Sequence, residues 1–117
     1  DLEYLDLFKN DLKELPGNFK KLQNLKVLLL GENALDRIPE EIGYLQNLEE
    51  LHFYNPHMNL PTVDAAKNIP SSFSSLKNLK KIRFYVNGMY YDYDGCKTAY
   101  LKRLQELLPS DCIIDLD

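Results

Sequence analysis

The chain has 117 residues, of which 44% are hydrophobic and 27% charged, and its formal net charge is −4. This length fits one domain, and the lack of a basic excess argues against a nucleic-acid partner. The longest apolar run, Val27 to Leu30, is far shorter than the roughly 20 residues of a membrane-spanning helix. We therefore expect a single domain without a membrane span.

A repeat of 23 residues is the first feature along the chain, and such a period indicates a solenoid. The first unit contributes Leu2, Leu5, Leu7, Asn10, Leu12, Leu15, Pro16, Phe19 and Leu22. The second contributes Leu25, Leu28, Leu30, Asn33, Leu35, Ile38, Pro39, Ile42 and Leu45. We assign these two units to residues 2–24 and 25–47.

The third unit, 48–78, contains an insertion at 59–68, and Pro56 stands where the turn asparagine is expected. Because longer surface loops cost little stability, we interpret the insertion as a neutral loop. The fourth unit covers 79–110. Its strand half repeats the apolar pattern and includes an asparagine at Asn87.

The chain is predicted to close with a helix over 98–108 and a strand over 112–116. Thr98 is the candidate helix cap and Pro109 ends the helix. At the other end, Leu2 enters the first strand without a preceding cap. We expect either upstream sequence or self-association through this edge.

The runs LEYLDLFKNDLKELP, LKVLLLGENALDRIP and LKKIRFYVNGM resemble the leucine-rich-repeat family in its 23-residue form. The ending LKRLQELLPSDCIIDLD is similar to the helix-plus-strand cap of many bacterial members. The resemblance implies an α/β fold. It would be a right-handed solenoid with a short parallel sheet on the concave face, irregular or 3-10 turns on the convex face, and a C-terminal capping helix and strand. The bacterial-like ending favours a secreted or cell-surface location.

Within each coil, alternation along the strand sends Leu28 and Leu30 inward and leaves Val27 and Leu29 outside. The asparagine of the turn is expected to satisfy buried backbone groups with its side-chain amide. Each proline fixes φ at about −65° and begins an extended segment in the descending half of its coil.

Outward strand positions line up in columns across the predicted sheet. The column Glu3, Lys26, Glu49, Lys80 alternates in sign, and we interpret it as a solvated stabilising ladder. The other columns mix apolar, aromatic and charged side chains, which is typical of recognition surfaces. The candidate partner-binding residues on the concave face are Tyr4, Leu29, His52, Tyr54, Arg83 and Tyr85.

We predict no catalytic, cofactor or metal site. His52 and His57 lack further metal ligands at suitable spacing, and Asp92 and Asp94 lack the remaining ligands of a calcium loop. Cys96 and Cys112 lack the spacing of a zinc site, so we expect both to be reduced.

The sequence therefore predicts a non-catalytic interaction module that binds a protein or peptide of unknown identity. Two alternatives remain open. One is the recognition part of a larger receptor or enzyme whose other part lies upstream. The other is a glycan-binding surface protein that uses the tyrosines at 90–93.

Overall fold

The fold is a stack of coils joined by one parallel sheet, seen in a computed structural model that describes residues 1–55, 63–86 and 95–116. The five strands of this sheet follow one another in chain order. They are β1 (Tyr4–Asp6), β2 (Val27–Gly31), β3 (Glu50–Asn55), β4 (Lys81–Val86) and β5 (Ile113–Asp115). The helix α1 spans Cys96–Leu107. The predicted parallel sheet with a helix near its end is thus confirmed.

The register of the sheet places equivalent residues of successive coils side by side. Leu28 of β2 pairs with Leu5 on one side and with Leu51 on the other. Leu28, Leu51 and Ile82 have no exposed surface, whereas Leu29 is only half-buried on the outer face. The predicted alternation is therefore confirmed, and the leucine column fills the space inside the coils.

Short 3-10 helices carry the chain back along the convex side. They span Gly17–Lys21, Glu40–Tyr44 and Ser71–Ser75. The residue before each is a proline in extended conformation, with φ of −63°, −67° and −61° at Pro16, Pro39 and Pro70. The prolines behave as predicted, but the run that follows them is helical instead of extended.

The turn asparagine of the second coil performs the role predicted for it. Asn33 is 5% exposed, and its Nδ2 donates to the carbonyl oxygens of Leu7 at 2.8 Å and Gly31 at 3.1 Å. Its Oδ1 accepts from the backbone N–H of Leu12 at 3.3 Å. The amide therefore serves two neighbouring coils, while Asn87 lies outside the described residues.

Asn55 supplies the side-chain amide that Pro56 lacks in the third coil. Asn55 is the last residue of β3, is 1% exposed, and donates from Nδ2 to the carbonyl of Leu35 at 3.2 Å. The third coil thus keeps a buried asparagine, one position earlier than the repeat predicts.

A second series of asparagines links the coils just before each strand. Asn47 Nδ2 donates to the carbonyl of Gln23 at 2.6 Å, and Asn78 Nδ2 donates to that of Gln46 at 2.9 Å. Both bonds run from one coil to the coil before it.

The described part of the insertion is a packed element. Residues Val63–Asn68 form a 3-10 helix against which α1 packs, and Ala66 and Ile69 are buried. Residues 63–68 thus form a helix within the region interpreted as a loop, and Ala66 adds to the core. The first part of the insertion, 59–62, lies outside the described residues.

The helix α1 begins earlier than predicted. Gly95 precedes it with a left-handed φ of 74°, and Thr98 lies exposed inside the first turn, so the prediction of Thr98 as the cap is wrong. At the other end Leu108 is extended, as expected before Pro109. Among the described residues, no helix is long and apolar enough to cross a membrane.

Side chains of α1 complete the core at the C-terminal end. Tyr100 and Leu104 have no exposed surface, and the Tyr100 ring lies 5.6 Å from that of Phe84 in β4. Phe84 in turn stacks on Phe53 at 5.4 Å. Neither Cys96 nor Cys112 forms a disulfide among the described residues, and burial, assisted by the charge of Asp111, raises the pKa of the Cys112 thiol.

Candidate partner-binding site on the concave face

The outward face of the parallel sheet, called here the concave face, presents side chains in the predicted columns. His52 lies between Leu29 of β2 and Arg83 of β4, and Arg83 is followed by Asp115 of β5. Large apolar side chains stand at both ends of the face, since Tyr4 is 56% and Ile113 62% exposed. Polar and charged groups occupy the middle.

An aromatic row runs along the end of the strands. The rings of Tyr54 and Tyr85 stack with their centroids 5.2 Å apart and their planes inclined by 26°. The next residue in register is Gly31, and a Cβ atom there would lie 2.7 Å from Cζ of Phe8. The ring of Phe8 therefore rests over the backbone of Gly31, in space that only a glycine leaves free.

Ion pairs hold the polar side chains of the face in place. His52 Nε2 lies 2.7 Å from Glu50 Oε1, two residues earlier on the same strand. Arg83 Nε lies 3.2 Å from Asp115 Oδ2 on the neighbouring strand. Because partly exposed charge pairs contribute little to folding stability, their main effect here is to fix side-chain direction.

These groups surround a cavity of about 330 Å³. Its lining residues are Phe8, Glu32, His52, Phe53, Tyr54, Arg83, Phe84, Tyr85 and Asp115. The structure thus brings together four of the six predicted site residues: His52, Tyr54, Arg83 and Tyr85. Tyr4 and Leu29 lie on the same face but do not line the cavity.

Sequence reasoning did not include Phe8, Glu32 and Asp115 among the site residues. The predicted columns already contained Phe8 and Asp115, so their register was the available signal. Glu32 follows β2 in a left-handed conformation, with φ of 50°, that carries its side chain to the cavity. The left-handed conformation of Glu32 could not be predicted from the residue pattern, because such a backbone is uncommon for a glutamate.

A larger and more polar groove of about 620 Å³ lies at the beginning of the strands. It contains the predicted charge ladder, in which Lys26 Nζ lies 3.1 Å from Glu3 Oε1 and Lys80 Nζ 2.7 Å from Glu49 Oε1. The hydrogen bond from Lys80 lowers the pKa of Glu49, and the bond to Glu3 raises that of Lys26. These pairs fit a solvated ladder better than a binding site.

The cavity on the concave face offers contacts and charges, and none of its lining side chains is a serine, threonine or cysteine nucleophile. Within the described ranges, no group of three or more His, Cys, Asp or Glu side chains could hold a metal ion. His57, Asp92 and Asp94 lie outside the described residues.

Comparisons with known proteins place this architecture in a family. The family model for Leucine Rich Repeat matches residues 1–22. The structure of a leucine-rich-repeat protein from Leptospira interrogans is similar over 97% of this chain, with a TM-score of 0.55 and 25% sequence identity. The chain has the leucine-rich-repeat fold, and both matches support its assignment to the leucine-rich-repeat family.

A curated relative also matches this leucine-rich-repeat chain. U2 small nuclear ribonucleoprotein A′ of Debaryomyces hansenii is 42% identical over 55 residues, which are 43% of this chain. The chain spans 23% of that protein and 31% of the Leptospira chain. One of these proteins is bacterial and the other comes from a yeast, so the matches do not support the bacterial origin expected from the ending.

Leucine-rich-repeat folds generally mediate protein–protein interaction, and they are typically non-catalytic binding modules. This general role applies to the solenoid as a class.

Proposed function

We propose that this leucine-rich-repeat domain is a non-catalytic interaction module that binds a protein or peptide partner on its concave face. The observation that carries the proposal is the cavity where the Tyr54–Tyr85 stack adjoins the Arg83–Asp115 ion pair. The partner-binding residues are those predicted from the sequence, together with Phe8, Glu32 and Asp115 from the cavity lining.

The aromatic side chains of the cavity can bind a partner at a low cost in conformational entropy. Tyr54 is 40% exposed, yet its stacking on Tyr85 already restricts the ring before any partner arrives. Aromatic side chains bury a large area for little lost rotamer freedom, which makes them frequent hot spots of interfaces. The paired charges beside them are similarly restrained, so a partner meets a largely preformed surface.

The comparisons support an assembly role in general terms. One matched relative carries the name of a small nuclear ribonucleoprotein, and leucine-rich-repeat folds generally mediate protein–protein interaction. We infer from the concave face of this chain that its own partner is a polypeptide.

A peptide-display selection on the immobilised domain, followed by affinity measurement, tests the proposal. The double variant Tyr54→Ala/Arg83→Glu should weaken the selected peptides about tenfold or more, because it removes an aromatic anchor and reverses a charge. The matched control is Tyr44→Ala/Lys20→Glu, which changes an exposed tyrosine and its neighbouring cation on the convex side.

Both double variants should keep the far-ultraviolet circular dichroism spectrum and unfolding midpoint of the parent. The proposal fails if the selected peptides bind the concave variant as tightly as the parent. It also fails if the convex variant loses affinity to the same extent.

A further inference from the structure

We propose that the cavity on the concave face receives a basic side chain, arginine or lysine, from the partner. This inference rests on the proposed function and names the chemistry that the same site recognises. It follows from the charges around the cavity, the position of Glu32 and the aromatic rings that line the cavity.

The cavity lining has more acidic than basic side chains. With histidine counted as neutral, Glu32 and Asp115 are the acidic side chains of the lining and Arg83 is its basic side chain. The guanidinium of Arg83 is already held by Asp115 at 3.2 Å. An acidic residue of a partner would have to compete with Asp115 for Arg83, whereas a basic residue meets a surplus of negative charge.

Glu32 is the carboxylate best placed to receive that basic residue. Its ion pair with Lys9 is long, at 3.9 Å, and the Lys9 side chain is 76% exposed. Pairs of this kind contribute little and are readily exchanged. A cation in the cavity can therefore replace Lys9 without breaking a close interaction.

The aromatic row supplies a second attraction. One face of Tyr54 stacks on Tyr85, and the residue next to Tyr54 in register on the other side is Gly31. The ring of Phe8, which follows β1, lies over Gly31 and lines the cavity together with Tyr54 and Tyr85. Lysine and arginine are attracted to the faces of such rings, and arginine is found there more often.

The remaining basic side chain of the lining, His52, is paired with an acidic residue. The imidazole of His52 lies 2.7 Å from the carboxylate of Glu50 and is 22% exposed. Glu50 therefore adds a further acidic group next to the cavity lining.

The direct test is titration of the 15N-labelled domain, followed by NMR, with the tripeptide acetyl-Gly-Arg-Gly-amide and with its citrulline analogue. Citrulline has nearly the same shape as arginine but carries no charge. The arginine peptide should shift the amide signals of Gly31, Glu32, Tyr54 and Tyr85, and the citrulline peptide should bind about threefold or more weakly.

Two variants separate the charge from the aromatic contribution. Glu32→Gln and Tyr54→Leu should each weaken the arginine peptide about threefold, while Glu14→Gln, an exposed acid in a turn of the first coil, should leave its affinity unchanged. Equal affinity for arginine and citrulline, or an unchanged affinity in both cavity variants, would overturn the inference.

The display experiment distinguishes this inference from the proposed function. If the selected peptides depend on Tyr54 but show no enrichment of arginine or lysine, the proposed function stands and the basic-residue inference is wrong. If they ignore Tyr54 while the arginine tripeptide still shifts the cavity signals, the proposed function fails and the cavity chemistry remains.

Discussion

The side-chain amide of Asn33 joins its own coil to the carbonyl of Leu7 in the coil before it, at 2.8 Å. The same amide also accepts from the N–H of Leu12, so both of its polar ends are used in a site that is 5% exposed. A buried backbone group without a partner costs free energy comparable to a lost hydrogen bond. Asn33 therefore stabilises two turns at once.

We expect Asn33→Leu to lower the free energy of unfolding by at least about 2 kcal/mol, because it leaves buried carbonyl and amide groups unpaired. Urea denaturation followed by circular dichroism measures the change. Asn10→Leu is the control, since Asn10 is exposed and donates only locally, to Phe8. Similar losses from the two variants would show that burial of the amide is unimportant.

Gly43 lies where two convex 3-10 helices meet. A Cβ atom at this position would overlap the backbone carbonyl of Ser72, while a Cβ at Gly17 would meet nothing within 4 Å. Gly43→Ala should therefore reduce the free energy of unfolding by about 1–3 kcal/mol through overpacking. Gly17→Ala, measured in the same thermal or urea experiment, should stay within about 0.5 kcal/mol of the parent. A tolerated Gly43→Ala would mean that these helices can separate without cost.

Tyr100 carries a buried hydroxyl that has no hydrogen-bond partner within the part of the chain that the structure describes. Burial of such a group without a partner costs about 1–3 kcal/mol, so Tyr100→Phe should leave the free energy of unfolding unchanged or increase it. Clear destabilisation in urea would contradict the absence of a partner.

The same substitution should also change the response to alkaline pH. Burial raises the pKa of Tyr100 above its ordinary value of 10.0, so the unfolded chain releases this proton first as the pH rises. The stability linked to this group is complete below pH 10 and is lost above it. Tyr100→Phe should therefore lose less stability than the parent above pH 10, as measured by urea midpoints across that range.

The Glu49–Lys80 pair predicts a titration that NMR can follow. Lys80 lowers the pKa of the Glu49 carboxyl below its ordinary value of 4.5. The associated stability is therefore present above pH 4.5 and is lost as the pH falls through the lowered folded pKa. Lys80→Gln should return the carboxyl pKa toward 4.5, whereas Lys77→Gln should not move it. No change in Lys80→Gln would assign the shift to another cause.

The fold was predictable because buried apolar residues recur every 23 residues in the first coils and resume the same pattern after the insertion in the third. Leu28, Leu51 and Ile82 are equivalent positions, and each fills the same layer of the core. The role of Asn33 was predictable for the same reason, since a polar residue that recurs in an apolar frame needs buried partners.

The start of α1 and the position of the buried asparagine in the third coil were not predicted, because they depend on local backbone conformation. The start of α1 at Gly95 does not follow the side-chain capping preference that pointed to Thr98, because a left-handed glycine takes the cap position. Asn55, the last residue of β3, supplies the buried amide at a position that lies one residue beyond the end of β2 in the repeat, where no asparagine was expected.

The candidate site depended on contacts between side chains as well as on register. The repeat placed Tyr54 beside Tyr85 and Arg83 beside Asp115. It could not show that Phe8 rests on Gly31, or that the left-handed turn brings Glu32 to the cavity. These arrangements depend on three-dimensional geometry that a linear pattern does not encode.

The asparagine bonds between coils give the stack a direction. Asn33, Asn47, Asn55 and Asn78 each donate to a carbonyl in the coil before their own. A coil added or removed inside the stack leaves each donor facing the carbonyls of a preceding coil, whereas removal of the first coil would take away the Leu7 and Gln23 acceptors of Asn33 and Asn47. A change in the number of internal coils therefore preserves these hydrogen bonds, and loss of the first coil does not.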